Sequence, residues 1–129
     1  MAMLAGASEA GGGVLLVFGL LTPLGAAAII GVMVNATFAV HWKNGLWNTN
    51  GGFELPLVMA ASAAALAFTG PGRWSLDRAF GWRLFGVPWG LGAVLVGMAA
   101  AGLVLGWRSA MMSREAGRGR HERHERTAA

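Results

Sequence analysis

Cysteine is absent from this 129-residue chain, and charged residues are scarce at 12%. Without cysteine, the protein has no disulfide, no thiol nucleophile and no thiolate metal site. Soluble domains carry about 25% charged residues. A chain with half that value and long uncharged runs is typical of an integral membrane protein.

The residues that are abundant are apolar or small, since the chain is 55% hydrophobic and contains 21 glycines. Glycine and alanine allow transmembrane helices to pack closely. The net charge of +4 would by itself suggest nucleic-acid binding, but six of the ten Lys and Arg residues follow Trp107. The positive charge therefore describes mainly a tail. We expect a lipid bilayer, and no nucleic acid, as the partner of this protein.

Four apolar segments predict an all-α integral membrane bundle. The predicted transmembrane helices cover residues 2–21, 24–40, 54–69 and 87–107. Thr22 and Pro23 separate the first two, because Thr is a good N-cap and Pro suits the first helical position. A single long helix with a proline kink is the alternative. All six tryptophans fall near predicted helix ends, where an aromatic belt would place them.

Residues 108–129 are polar, basic and low in complexity, which predicts a disordered tail after a transmembrane domain of residues 1–107. With four spans, Lys43 and the six tail arginines share one side of the membrane. Arg73, Arg78 and Arg83 lie on the other side. The positive-inside rule then places both termini of a multi-pass inner (cell) membrane protein in the cytoplasm.

Glu9 is the most informative polar residue, because it lies near the middle of its predicted helix. A charge at that depth costs at least about 2.5–3.5 kcal/mol. We therefore expect a carboxyl that is neutral, paired or facing a wet cavity. It could relay protons or hydrogen-bond a quinone-like head. Alternatively, it makes a structural hydrogen bond to Asn35 or Ser62.

Asn35 ends a face of small residues on the second helix, after Ala27 and Gly31, and this spacing predicts close helix packing. His41 and Glu54 bracket the loop between the second and third helices. They could form an acid–base pair or part of a metal site, but two ligands do not define a metal, and none is predicted. The alternative is an interfacial histidine and a glutamate at the positive end of a helix dipole.

A second break follows the third helix at Gly70, Pro71 and Gly72, where the chain must turn. Ser75 is a plausible N-cap for a short interfacial helix. Asp77 is expected to pair locally with an arginine. We interpret this segment as a shaped connector, with a docking surface for a soluble partner as the alternative.

These elements together resemble the DoxX family of small membrane proteins over about residues 9–80. The chain reads E-x-x-G-G at residues 9–13, G-L-L-T at 19–22 and G-P-G-x-x-S-L-D at 70–77, with His41 and Glu54 in order between them. The last element is the most specific. The positions that carry the pattern outside the loop are Glu9, Gly12, Gly13, Gly19, Thr22, Gly70, Pro71, Gly72, Ser75 and Asp77.

The resemblance implies a small helical bundle, mostly bacterial or archaeal. Some members are similar to quinone-linked oxidoreductases of sulfur compounds, and others are associated with oxidative-stress complexes at the membrane. Members usually have another helix before the one that carries the glutamate. Here Met1 stands close before Glu9. We therefore expect either a misassigned start or a short chain, whereas the helix at 87–107 and the tail extend beyond many members.

The first hypothesis is a membrane subunit or anchor of a quinone-linked redox complex that is not catalytic alone. The sequence has no haem-type pair of intramembrane histidines and no nucleotide fingerprint, so electrons would pass through oxidoreductase subunits or a bound quinone. The alternatives are a small transporter or channel-like bundle centred on Glu9, and a structural assembly factor. Homo-oligomerisation is left open.

Overall fold

The computed structural model describes the backbone of residues 2–128 and the side chains of residues 3 and 6–113. Throughout this part, the regular secondary structure is helical, which confirms the predicted all-α class. The α-helices are α1 (Ala2–Phe18), α2 (Thr22–Ala36), α3 (Glu54–Thr69), α4 (Leu76–Ala79) and α5 (Val87–Ala128).

Helix α2 continues beyond Ala36 in altered helical forms. A π-helical turn covers Thr37–His41, and a 3-10 turn covers Trp42–Asn44. Where the α-helix gives way to the π-helical turn, the Thr37 hydroxyl donates to the Met33 carbonyl oxygen at 2.8 Å. A hydroxyl bonded back to the preceding turn competes with the regular backbone pattern and often bends a helix. The whole segment runs from Thr22 to Asn44.

In the part of the chain that the structure describes, two helices are long and apolar enough to cross a membrane. They are Thr22–Asn44, with 23 residues, and Val87–Ser113, with 27. Helices α1 and α3 have 17 and 16 residues. At 1.5 Å per residue they rise only about 24–26 Å, short of the roughly 30 Å hydrocarbon core. Length and composition thus support two of the four predicted spans.

Helices α1 and α2 form a hairpin, as predicted, and not one kinked helix. The reversal occurs because Gly19 and Leu21 adopt left-handed backbone angles, with φ of 58° and 47°. α1 therefore ends at Phe18, before its predicted end at residue 21. The two helices approach closely at Gly12, where a Cβ atom would lie 3.1 Å from the Gly25 carbonyl oxygen.

Helix α2 lies at the centre and packs against α1, α3 and α5. The predicted small face is confirmed, because a Cβ at Gly97 of α5 would lie 2.8 Å from the Ala27 carbonyl oxygen, and Gly31 faces Gly97. Asn35 is half-buried. The buried residues of this core are Ala26, Ala27, Ile29, Ile30, Met33, Ala63, Ala67 and Ala93.

Helix α5 continues past Trp107 to Ala128, through the segment that we expected to be disordered. Alanine, methionine, arginine and glutamate are good helix formers, and the segment contains many of them. Its low complexity therefore did not prevent a helical backbone. The division into a domain of residues 1–107 and a separate tail remains a prediction.

Candidate functional site

Among the described side chains, Asp77 accepts the most hydrogen bonds, and it is 1% exposed. Its Oδ1 accepts from the Leu21 backbone N–H at 2.7 Å. Its Oδ2 accepts from the Thr22 backbone N–H at 3.0 Å and from the Thr22 hydroxyl at 2.7 Å. One carboxylate thus closes the α1–α2 turn and occupies the start of α2.

This arrangement suits the start of a helix, where backbone N–H groups lack partners and the dipole favours negative charge. Thr22 is not the N-cap that the sequence predicted. It is the first residue of α2, the N-cap is Leu21, and no local side chain accepts from the helix start. The structure also gives Asp77 these backbone and hydroxyl partners in place of the expected arginine.

The connector is shaped so that Asp77 reaches the turn. Gly70 and Gly72 both have positive φ, at 89° and 87°, as the predicted break requires. Ser75 is the N-cap of α4, as predicted, because its Oγ accepts from the Arg78 backbone N–H at 3.3 Å. The Asp77 backbone N–H donates to the Gly19 carbonyl oxygen at 2.9 Å, which adds a main-chain link to the side-chain bonds.

Gly19 leaves no room for a side chain. A Cβ atom there would lie 2.5 Å from the Ser75 Cβ and 2.9 Å from the Pro71 Cβ. Its φ of 58° also disfavours any other residue. We call the set of Gly19, Leu21, Thr22, Ser75 and Asp77 the Asp77 joint. It brings together two motif elements that are far apart in the sequence, and all its polar contacts fix chain geometry.

The loop between α2 and α3 holds the other two polar candidates, and the structure assigns each a local partner. His41 Nδ1 lies 2.6 Å from the Gly51 carbonyl oxygen, so Nδ1 is the donor, because a carbonyl only accepts. Glu54 Oε2 accepts from the Asn48 backbone N–H at 3.0 Å. Both side chains thus organise the loop, and no hydrogen bond joins them to each other.

Glu9 is exposed on the outside of α1. The two expected partners do not bond to it: the Ser62 hydroxyl donates to the Val58 carbonyl oxygen within α3, and Asn35 makes no side-chain hydrogen bond among the described residues. Of the adjacent glycines, Gly12 faces α2, whereas a Cβ at Gly13 would meet nothing within 4 Å. The glutamate therefore belongs to an outward face.

A quinone head requires polar groups that converge in a largely apolar pocket. Within the described part of the chain, no hydrogen bond links any two of Glu9, Asn35, His41 and Glu54. His41 and Glu54 each bond to the backbone of the α2–α3 loop, and Glu9 lies on the outside of α1. Among the described residues, no three His, Asp or Glu side chains are grouped so that they could hold a metal ion.

The contact that sequence reasoning missed is the bond between Asp77 and the α1–α2 turn. Helix α2 has no acidic residue in its first turn, although such a residue is common there. Asp77 is the sole acidic residue of the connector sequence. These two facts were the available signals, but nothing in the sequence placed the two segments beside each other.

A family model described as DoxX matches residues 1–42, which comprise α1, the turn and most of the α2 segment. The DoxX resemblance is confirmed over this segment. No curated protein and no solved structure matches the chain significantly. The chain is thus similar to DoxX proteins over residues 1–42, and its two long apolar helices are typical of a membrane protein. The G-P-G-x-x-S-L-D element lies outside the match, yet its Asp77 bonds to Thr22 within it.

Proposed function

We propose that this DoxX-like protein is a membrane subunit or anchor of a quinone-linked redox complex and is not catalytic alone. The observation that carries the proposal is the outward position of Glu9. The large apolar residues exposed along the described part of the same helix are Met3, Val14, Val17 and Phe18, at 89%, 56%, 82% and 58%. An exposed carboxyl group on a helix with this much exposed apolar surface indicates that a further component covers α1 at Glu9.

The energetic reason lies in the depth of Glu9 in α1. It is seven residues from Ala2 and nine from Phe18. These separations correspond to about 10 and 14 Å along the axis. A charged side chain near the centre of a bilayer costs at least about 2.5–3.5 kcal/mol. Since no residue in the described part of the chain forms a hydrogen bond with the Glu9 side chain, a partner subunit that supplies one would offset the cost.

The proposal includes four membrane crossings, with α1 and α3 as the two short ones. In support of four crossings, the start of α2 and the connector lie at the same end of the bundle, because Asp77 bonds to Thr22. That is the arrangement that alternating crossings require. Short helices are accommodated by local thinning of the bilayer at a modest cost.

We propose the inner cell membrane as the location, with both termini in the cytoplasm, from the positive-inside count. The charges that decide it are Lys43 and the six arginines after Trp107, against Arg73, Arg78 and Arg83. A C-terminal alkaline phosphatase fusion, which is active only outside the cytoplasm, is expected to stay inactive. An active fusion would show that the C-terminus lies outside the cytoplasm and that the orientation is the opposite one.

Any quinone would be bound by the complex, with this chain contributing a part of the site, because Glu9 lies on the outside of α1 whereas His41 and Glu54 bond to the backbone of the α2–α3 loop. A transporter would instead require Glu9 on a path between helices, and its outward position gives that alternative less support. An assembly factor would use the same face without redox partners. The experiment must therefore identify what the partner is.

The test is purification of the tagged full chain from its native membranes in mild detergent. We expect oxidoreductase polypeptides and extractable quinone to co-purify. Glu9→Leu should lower their recovery about tenfold, as loss of a buried hydrogen-bonded contact worth 1–3 kcal/mol predicts. Glu54→Gln is the matched control and should retain them, because Glu54 is used within the loop.

A clean, ligand-free homo-oligomer would refute the redox role. Co-purifying membrane proteins without redox cofactors would support the assembly factor instead. Glu9→Gln separates two roles of the carboxyl group, because the amide keeps hydrogen bonding but carries no titratable proton. Full redox activity of the complex with this variant would eliminate a proton relay and leave a docking role.

A further inference from the structure

We propose that the connector between α3 and α5 binds the headgroups of anionic phospholipids. The binding surface consists of Arg73, Trp74 and Arg78, with Arg83 nearby in the sequence, and we call it the connector basic surface. All four side chains are exposed. Neither the family match nor the proposed redox role assigns a function to this surface.

The charge balance of the connector is the first argument. Residues 70–86 contain three arginines and one acidic residue, Asp77. Asp77 is 1% exposed, and both its oxygens accept hydrogen bonds from the α1–α2 turn. Its carboxylate therefore does not neutralise the guanidinium groups at the surface. The Asp77 joint leaves this end of the bundle with an excess of exposed positive charge.

The shape of the surface is the second argument. Two of the arginines line an open cleft of about 460 Å³, whose lining residues are Arg73, Trp74, Ser75, Leu76, Arg78 and Ala79. A guanidinium group presents a planar set of donors that matches phosphate oxygens in a bidentate manner. Two such groups around one cleft suit a phosphodiester with net negative charge better than a zwitterionic headgroup, in which a cationic group already balances the phosphate.

The surrounding aromatic side chains favour a lipid over a soluble acidic partner. Trp74 is 101% exposed, and three further aromatic residues of the connector are exposed as well: Phe80, Trp82 and Phe85. Tryptophan and other aromatic rings are placed favourably at the level of the headgroups, where one part is apolar and the other wet. The connector also leads directly into α5, a helix of membrane-spanning length.

The opposite end of α2 provides a contrast within the same chain. The loop there carries Lys43, but its one acidic side chain, Glu54, is only half-buried and remains near the surface. The charges of this loop, taken without the tail that follows Trp107, therefore balance, whereas those of the connector do not. Selectivity for anionic headgroups is accordingly expected at the connector end.

The experiment uses the purified full chain in a neutral detergent with equimolar phosphatidylglycerol and phosphatidylcholine, and counts retained lipids by native mass spectrometry. We expect the wild type to retain phosphatidylglycerol preferentially. Arg73→Gln/Arg78→Gln should reduce the preference by about 5- to 30-fold, the size expected for losing one or two basic contacts. Lys43→Gln/Arg108→Gln removes the same number of charges elsewhere and should leave it unchanged.

The connector variant should fold, because the Ser75 cap bonds to the backbone N–H of Arg78, which glutamine retains. An unchanged preference in that variant, or an equal loss in the control, would overturn the proposal. Competition by excess inorganic phosphate would show a site for free anions and not for lipid. If the chain showed no lipid preference but recovered an acidic protein in a manner that depends on Arg73 and Arg78, the surface would be assigned to a protein partner.

Discussion

At the scale of single residues, one buried carboxylate determines how two distant segments meet. Asp77 accepts from two backbone N–H groups and one hydroxyl, and its own N–H bonds to Gly19. Leu21 is held with φ of 47° and ψ of 48°, a conformation that costs a non-glycine residue about 1–2 kcal/mol. The bond from its N–H to Asp77 offsets that strain.

Replacing Asp77 by Ala is expected to destabilise the fold strongly. The change leaves two buried donors and one partly buried donor without an acceptor, so the free energy of unfolding should fall by about 2–5 kcal/mol. Thr22→Val removes only the hydroxyl bond and should cost about 1 kcal/mol. Thermal unfolding in detergent, followed by circular dichroism, measures both. Equal unfolding temperatures for Asp77→Ala and the wild type would show that the joint does not stabilise the chain.

Gly19→Ala should also destabilise the protein, whereas Gly13→Ala should not. The added methyl group at Gly19 would overlap Ser75 and Pro71, and φ is positive there. A methyl group at Gly13 meets nothing within 4 Å, so it should be neutral or stabilise α1 by up to about 1 kcal/mol. The same unfolding assay compares them, and similar unfolding temperatures for the two variants would argue against the tight contact.

At the scale of elements, the close approach of α2 and α5 depends on glycine. Gly97 meets the backbone of α2, and Gly31 meets Gly97. The G-x-x-x-G pair at Gly102 and Gly106, which is equally prominent in the sequence, meets nothing within 4 Å. Motif spacing alone therefore does not show which glycines pack, because the direction of each face depends on where the neighbouring helix lies.

The helix pair can be tested with a disulfide, because the natural chain contains no cysteine. A Cβ at Gly31 would lie 3.8 Å from the Ala100 Cβ, which matches the mean separation in disulfides, about 3.8 Å. Gly31→Cys/Ala100→Cys is expected to cross-link rapidly on mild oxidation, and a mass loss of two hydrogens measures it. Gly31→Cys/Gly102→Cys is the control. Slow or equal cross-linking of the two pairs would contradict the packing.

At the scale of the whole molecule, hydropathy predicted the helices well and their connections poorly. The all-α class, the α1–α2 hairpin and the Ser75 cap follow from local composition and local stops such as Pro23 and Gly70. The contact between Asp77 and Thr22 does not, since they are 55 residues apart and no local pattern records it. The extension of α5 to Ala128 was missed because low complexity outweighed helix propensity.

For the candidate site too, the sequence predicted local features but not the contacts between distant segments. Sequence alone identified Glu9 as costly in a bilayer, but its outward direction became visible only when α2 was packed against Gly12. His41 and Glu54 were correctly placed beside one loop, whereas their separate backbone partners depend on the turn at Gly51. The outward position of Glu9 remains the strongest link between this fold and a function.

The most direct test of a partner at the Glu9 face is photo-cross-linking in native membranes. A photoreactive amino acid replaces Gly13, which lies one turn from Glu9 in open space, or Leu103, which is 76% exposed on α5. We predict that the Gly13 position yields an adduct with an oxidoreductase subunit and that the Leu103 position does not. Adducts with lipid alone, or the same adducts from both positions, would contradict a partner-binding role for the Glu9 face.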